Sequence, residues 1–268
     1  SDGERKSQDY YTVLILGRDT GGGGNTDTML LASYDVTNQK ATVMSIPRDT
    51  MVNVSWDIKR INSVYNYYGG GDRGIQYLYK EIAQLVGFEP DYQVVVEWDA
   101  VGQIVDAMGG VWFDVPRNMN YDDPYQDLHI HQEKGYRLLT GDDAMQVLRF
   151  RDGANGYKDG DLGRIKTQQA FLKAVADKLF SLQSVIKIPE FARIFSENVT
   201  SSDNLSLGNM IWFGNQALNI GTENIHFTTL PGEAKTVYGG SYFVLDADAC
   251  LTLLNESFNP YKADLTTS

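Results

Sequence analysis

A single cysteine, Cys250, stands in 268 residues, so no disulfide can close within the chain. Its setting, "LDADACLTLLNESF", reads as an amphipathic helix, where a thiol behaves as a small buried hydrophobe. No histidine lies near it in sequence to support a nucleophilic role. Basic residues are also scarce: 23 Lys and Arg stand against 35 Asp and Glu, a formal net charge of -12. That balance argues against non-specific binding to nucleic acid, and an anionic ligand needs a local cationic site set against the overall field. No apolar run approaches the ~20 residues that span a bilayer. No secretory signal, internal repeat, low-complexity segment or dividing linker is visible. What is present is a chain 42% hydrophobic, enough for a sizeable core. The organisation expected is a polar leader over residues 1–9, "SDGERKSQD", and a single domain over 10–268.

Strand-like runs fall at Tyr11–Leu16, Met29–Tyr34, Ala41–Ile46 and Gln93–Glu97. "TVLILG" is continuous rather than alternating and suits a central strand covered on both faces. A turn signal at Asn38 makes the second and third runs a hairpin or adjacent strands. Helical spacing follows in Ile75, Leu78, Tyr79, Ile82, Leu85 and Val86, with Gly87 as a stop. Shorter helices are expected in "DAVGQIVDAMGG" and in "GDDAMQVLRFR", the latter capped by Thr140 or Asp142. "DLGRIKTQQAFLKAVADKLFS" is the clearest helix. Two more fall at Pro189–Asn198 and Ser206–Asn219, then a strand in "ENIHFTTLPG" and a closing helix at Ala247–Phe258. Interspersed strands and helices predict an α/β fold, a three-layer α-β-α sandwich around a central mixed β-sheet.

Chemistry concentrates at strand ends, where open α/β sheets bind ligands. Asp19 follows the first strand and Asp27 opens the second, separated by a glycine run that permits close backbone approach. Two hard oxygen ligands completed by water or phosphate suit Mg²⁺, with Mn²⁺ as the alternative ion. The competing reading is that both aspartates cap turns. The glycine run is not a P-loop, since no Gly-Lys-Ser/Thr follows. Arg48 emerges after the third strand in "SIPRDT", with Asp49 as a ready ion-pair partner.

"LRFRDGANGYKDGDLGRIKTQQ" holds Arg149, Arg151, Asp161, Arg164 and Gln168. Arg164 and Gln168 are four apart and share a stripe with Phe171 and Val175, so they face inward at a helix N-terminus. An inward arginine is costly unless it meets a carboxylate or a phosphate. Arg149 and Arg151 complete a guanidinium fork suited to phosphate oxygens, or the whole set braces the loop 152–160. His129 and His131 share a face if "LHIHQ" is a strand, without an evident third metal ligand. No G-x-S-x-G elbow is present. The tyrosines of "SVYNYYGGG" suit sugar contacts or ordinary aromatic packing.

The segments "LILGRD", "TDTMLL", "MSIPRDT", "RINSVYNYYGGG", "LRFRDG", "GDLGRIKTQQ" and "LPGE…GGSYFVLD", in this order, resemble the LytR–CpsA–Psr family of cell-envelope phosphotransferases. The resemblance runs from about Tyr10 to Asn259. It implies an enzyme that takes a glycopolymer such as teichoic acid or capsule from a polyprenyl-pyrophosphate carrier. The polymer is joined to peptidoglycan through a phosphodiester and polyprenyl phosphate is released. By motif position, Asp19 and Asp27 correspond to the magnesium-associated aspartates and Arg48 to a pyrophosphate-binding arginine. Arg149, Arg151 and Arg164 correspond to the rest of the clamp, with Asp161 and Gln168 supporting. The chain departs at Arg60-Ile61-Asn62, where the family usually has Lys-Ile-Asn, and its loop from Arg151 to Asp161 is longer than is common. Placement at the extracytoplasmic membrane face is implied too, with a single membrane-spanning helix upstream of this chain. Two other readings use the same residues: a polyprenyl-pyrophosphate hydrolase, and a lipid-pyrophosphate-binding regulator without turnover.

Overall fold

The computed structural model describes residues 3–19, 26–125, 127–151, 161–182 and 188–266. The first half contains β1 (Tyr10–Arg18), β2 (Thr26–Asp35), β3 (Lys40–Ser45), α1 (Ser63–Tyr67), α2 (Gly71–Val86), β4 (Tyr92–Glu97), α3 (Trp98–Ala107), β5 (Val111–Val115), β6 (Met119–Asp123) and β7 (Leu128–Gln132). Then come β8 (Gly135–Leu139), α4 (Gly141–Arg149), α5 (Asp161–Leu182), α6 (Ile188–Asn198), β9 (Val199–Ser201), α7 (Leu207–Ile220), β10 (Ile225–Thr229), β11 (Gly232–Val237), β12 (Gly240–Leu245) and α8 (Ala247–Ser257). Six strands form one sheet in the order β10-β3-β2-β1-β4-β9. The β1–β2 and β2–β3 pairs are antiparallel and β10–β3 is parallel, so the sheet is mixed, as expected for this α/β fold. No helix among the described residues is long and apolar enough to cross a membrane.

Two compact units emerge. The first holds the described residues before Asp19, those from Thr26 to Val94, and those from Asn224 onward. β1 lies inside the sheet and none of its residues is exposed, but its burial is graded: Leu14 and Leu16 are fully buried while Val13 and Ile15 are partly so. A continuous apolar run therefore marks an interior strand whose two faces are covered unequally. The stripe Ile75, Leu78, Ile82 and Val86 buries one side of α2, and Gly87 at φ +88° ends the helix by donating its N–H to the Ala83 carbonyl.

The second unit holds Asp19 and the described residues from Val95 to Glu223. Its core joins α3, α4, α5 and the β5–β8 ribbon through Val105, Val111, Phe113, Leu139, Val147, Phe150 and Phe171. Phe113 and Phe171 meet edge to face at 5.5 Å between ring centroids, a favoured aromatic geometry. Thr140 rather than Asp142 caps α4: its hydroxyl accepts from the Asp143 N–H, and the Asp143 carboxylate accepts from the Thr140 N–H.

Three two-stranded ribbons, β5–β8, β6–β7 and β11–β12, lie outside the six-stranded sheet, and of their strands only β7 is expected from the sequence. β11 shows why, since five of its six residues are exposed and no alternation survives. The signal that finds it is the turn, where Tyr238 and Gly239 both take left-handed φ values of 51° and 75°.

Cys250 is buried in α8 of the first unit, its thiol donating to the Pro231 carbonyl. Burial, helped by the Asp246 carboxylate, pushes its pKa up to about 11. Native protein at pH 8 is therefore expected to leave an aromatic disulfide reagent unreacted while urea-unfolded chain reacts completely. Equal rates in the two states would show that the thiol is accessible.

Candidate functional site

In the first unit the site residues cluster where β2 begins and β3 ends. The β1–β2 register runs Gly17↔Thr28 and then Arg18↔Thr26, which leaves Asp27 as the extra residue of a β-bulge. Bulges re-aim side chains next to functional sites, and here the re-aimed group is a carboxylate. Thr26 beside it is buried, and its hydroxyl has no hydrogen-bond partner among the described residues. Arg48 leaves β3 through Ile46 and Pro47, and the Thr50 N–H and hydroxyl both close back on the Pro47 carbonyl. Backbone bonds from Asn62 N–H to the Arg48 carbonyl and from Ile61 N–H to the Thr50 carbonyl lace this turn to the Arg60-Ile61-Asn62 segment.

The resulting side chains alternate in charge. Arg48 lies 3.6 Å from Asp27 and 3.8 Å from Asp49, and Arg60 lies 3.7 Å from the same Asp49. At those lengths the contacts are ion pairs rather than short hydrogen bonds. Arg60 also donates to the Ser241 carbonyl at 2.9 Å and sits over the Tyr242 ring. Arg48 and Asp27 keep 20% and 23% of their side-chain surface exposed, so an anion can reach the guanidinium.

The second unit carries a tighter set. Arg149, the last residue of α4, donates to Asp19 at 2.5 Å, a strong charge-assisted contact. Asp161 opens α5, where its charge suits the helix N-terminus, and accepts from Arg164 Nε and Nη2 at 2.9 and 2.8 Å. Arg164 is 3% exposed and Gln168 5%, in line with their place on the Phe171 stripe. Gln168 donates to the Leu148 carbonyl at 3.3 Å, which ties α5 to the residue preceding Arg149. Arg151 follows the fully buried Phe150 and is partly exposed. The glycine run 20–25 and the loop 152–160 lie outside the described residues.

His129 and His131 do share the exposed face of β7, and the structure supplies a partner that spacing does not reveal. Asp122, opposite His129 in the β6–β7 register, places Oδ1 2.8 Å from His129 Nδ1 and 3.0 Å from His131 Nε2. Asp127 Oδ1 lies 3.2 Å from His129 Nε2. No group of three or more metal-ligating side chains is arranged to hold a metal ion among the described residues.

Residues 1–259 match the LytR_cpsA_psr family. The chain belongs to this family. It is 26% identical over 206 residues to the regulatory protein MsrR of Staphylococcus aureus strain COL, covering 75% of this chain and 59% of MsrR. Over 207 residues it is 28% identical to the polyisoprenyl-teichoic acid–peptidoglycan teichoic acid transferase TagV of Bacillus subtilis strain 168, covering 74% of this chain and 51% of TagV. The chain thus spans only about half to three-fifths of the length of these curated relatives. The crystal structure of B. subtilis TagV matches with a TM-score of 0.75 at 24% identity, over 93% of this chain and 96% of that one. TagT bound to LI-WTA matches with a TM-score of 0.69 at 22% identity, over 93% and 89%. These likenesses establish that LytR–CpsA–Psr proteins and this chain share a fold.

Two expectations follow from the geometry. Asp161→Ala removes the carboxylate that accepts from both Nε and Nη2 of the buried Arg164, and breaking a buried pair in this way costs about 3–5 kcal/mol. Urea unfolding should show that loss, whereas Asp49→Ala, in a more exposed pair, should lose less than 1 kcal/mol by order of magnitude. An Asp161→Ala protein as stable as the parent would mean that Arg164 has another adequate partner.

The hairpin histidine gives a pH test. Hydrogen bonds to Asp122 and then to Asp127 raise the His129 pKa, and those from His129 and then His131 lower that of Asp122. The His129 contribution to stability is therefore full below about pH 6.5, the ordinary histidine value, and is lost as pH rises through its raised folded value. The Asp122 contribution is present above about pH 4 and is lost as pH falls through its lowered one. An NMR titration should place the His129 midpoint above about 6.5, and Asp122→Asn should bring it down. A midpoint unmoved by that substitution counts against the pairing.

Proposed function

We propose that the chain transfers a glycopolymer from a polyprenyl-pyrophosphate carrier to peptidoglycan at the extracytoplasmic face of the cell membrane. Membership in the LytR–CpsA–Psr family and similarity to a teichoic acid–peptidoglycan transferase support the reaction class. The observation that carries it is the set of arginines at element ends, each held by a carboxylate: Arg48 by Asp27 and Asp49, Arg149 by Asp19, and Arg164 by Asp161. A guanidinium already oriented by a carboxylate offers its remaining N–H groups to a phosphate oxygen at little further cost in entropy.

In this reading an acceptor hydroxyl oxygen attacks the phosphorus that bears the glycopolymer. A new P–O bond forms, the bond to the bridging pyrophosphate oxygen breaks, and polyprenyl phosphate departs with that oxygen. The acceptor proton passes to a carboxylate. The cations available to offset the charge that grows on the leaving phosphate are Arg48 and Arg60 within the first unit and Arg149 and Arg151 within the second. Arg164, fixed by Asp161 and flanked by Gln168, supplies the most rigid cation of the set. Asp27 and the orphaned Thr26 hydroxyl in the first unit, and Asp19 in the second, are each hard oxygen donors of the kind Mg²⁺ or Mn²⁺ takes. When bound, that ion polarises phosphoryl oxygens and adds positive charge.

Incubation with lipid-linked donor and peptidoglycan oligomers tests the proposal. The expected product is polymer-linked glycan, formed with Mg²⁺ and lost in chelator. Arg48→Ala should slow it by roughly 10- to 150-fold, the equivalent of one charge-assisted contact of about 1.5–3 kcal/mol. Free phosphorylated polymer as the sole product would identify a hydrolase, and unchanged bound lipid a regulator.

A further inference from the structure

Outside the arginine sets, the first unit carries a run of aromatic rings that its core does not use. Trp56 stacks on Tyr67 at 3.7 Å between centroids and 11° between planes. Tyr68 stacks on Tyr77 at 3.6 Å and 3°. The two stacks meet at right angles, with Tyr67 and Tyr68 5.0 Å apart at 84°. Ring quadrupoles disfavour such face-to-face sandwiches, so each is imposed by its surroundings. Tyr77 is brought back onto Tyr68 by the turn from α1 into α2 at Gly69-Gly70-Gly71, three consecutive residues at left-handed φ of 86°, 68° and 59°. Only glycine takes such a run without strain.

The first stack is held by a hydrogen bond, and the second is flanked by cations. The Trp56 indole N–H donates to the Ser63 hydroxyl at 2.9 Å, and that hydroxyl donates in turn to the Arg60 carbonyl. Arg73 lies 5.9 Å from the Tyr68 ring and 5.7 Å from the Tyr77 ring, and Lys80 is 5.0 Å over Tyr77. These three α2 residues, Arg73, Tyr77 and Lys80, lie on the helix face opposite Ile75, Leu78 and Ile82. Tyr67 is 56% exposed even with one face covered by Trp56, and neighbouring Ile58 is 55% exposed. Rigid, outward-facing aromatics rimmed by cations signal a binding surface.

We infer that this aromatic corner binds the glycan strand of the acceptor. A pyranose with equatorial substituents presents a flat face of C–H bonds that packs on an aromatic ring, and successive sugars match a row of rings better than a flexible chain does. Arg73 and Lys80 complement the carboxylates that peptidoglycan carries on its stem peptides. The corner is also joined to the phosphate-facing residues of the same unit: Ser63 links Trp56 to Arg60, and Arg60 shares Asp49 with Arg48. The assignment rests on the transferase reading for the identity of the glycan, but its test needs neither donor nor turnover.

Chitohexaose, a β-1,4-linked amino-sugar oligomer with the backbone linkage of peptidoglycan, is titrated into the full chain by calorimetry and by ligand-observed NMR. Binding should strengthen from disaccharide to hexasaccharide. Tyr67→Leu should weaken it at least tenfold while Tyr67→Phe, which keeps the ring, binds like the parent. Trp112→Ala removes an equally exposed ring, 51% exposed, from the β5–β8 ribbon and should change nothing. Thermal denaturation of each variant separates lost folding from lost binding. Absence of binding by the parent, retention by a folded Tyr67→Leu protein, or binding of teichoic polymer alone would overturn the assignment. Should the chain bind chitohexaose and yet form no polymer-linked glycan, the transferase reading fails and the glycan surface stands.

Discussion

A guanidinium withdrawn almost wholly from water sits near the start of α5, and the second unit is arranged around making that tolerable. Arg164 keeps 3% of its surface exposed, beside a stripe that runs on to Phe171 in the core. Its charge survives there because Asp161, one helical turn earlier, accepts from both Nε and Nη2. The helix N-terminus favours that carboxylate in turn. With the first turn of α5 held in this way, Gln168 reaches the Leu148 carbonyl, and the end of α4 takes the position from which Arg149 grips Asp19. One buried ion pair thus sets the geometry of a second, more exposed one.

The first unit solves the same problem with looser parts. Arg48, Arg60, Asp27 and Asp49 alternate at 3.6–3.8 Å, and all retain a fifth or more of their side-chain surface. Such pairs contribute little to stability individually. Their value lies in exchange: a phosphate oxygen competes with a carboxylate for the guanidinium without leaving a charge stranded in an apolar core. The two sets therefore differ in kind, one rigid and buried, the other open to partner exchange. In a chain of net charge -12, these arginines are cations set among carboxylates.

Exposed aromatics follow a comparable logic. Trp56 and Tyr67 stack face to face with Tyr67 more than half exposed, and the Trp56 indole N–H is fixed by the Ser63 hydroxyl. A surface that spends hydrogen bonds on orienting rings toward solvent is built for contact, as is one that spends backbone bonds on orienting arginines.

By itself, the sequence determined those features that depend on neighbours within about ten residues. The apolar runs of β1 to β4, the α2 stripe ending at Gly87, and the inward direction of Arg164 and Gln168 all follow from local periodicity, because a buried face repeats every two or 3.6 residues. Residue type likewise announced which groups suit phosphate. The tertiary structure alone decided who pairs with whom. Arg149 meets Asp19 across 130 residues of chain, and Asp122 takes both His129 and His131 because β6 and β7 come into register. The bulge that singles out Asp27 exists only in the pairing of β2 with β1. β11 was equally illegible, since it has no buried face to impose a period. Whether the partners lie 130 residues apart, as Arg149 and Asp19 do, or seven and nine, as Asp122 does from His129 and His131, the pairing is set by how strands and helices come together rather than by periodicity along the chain.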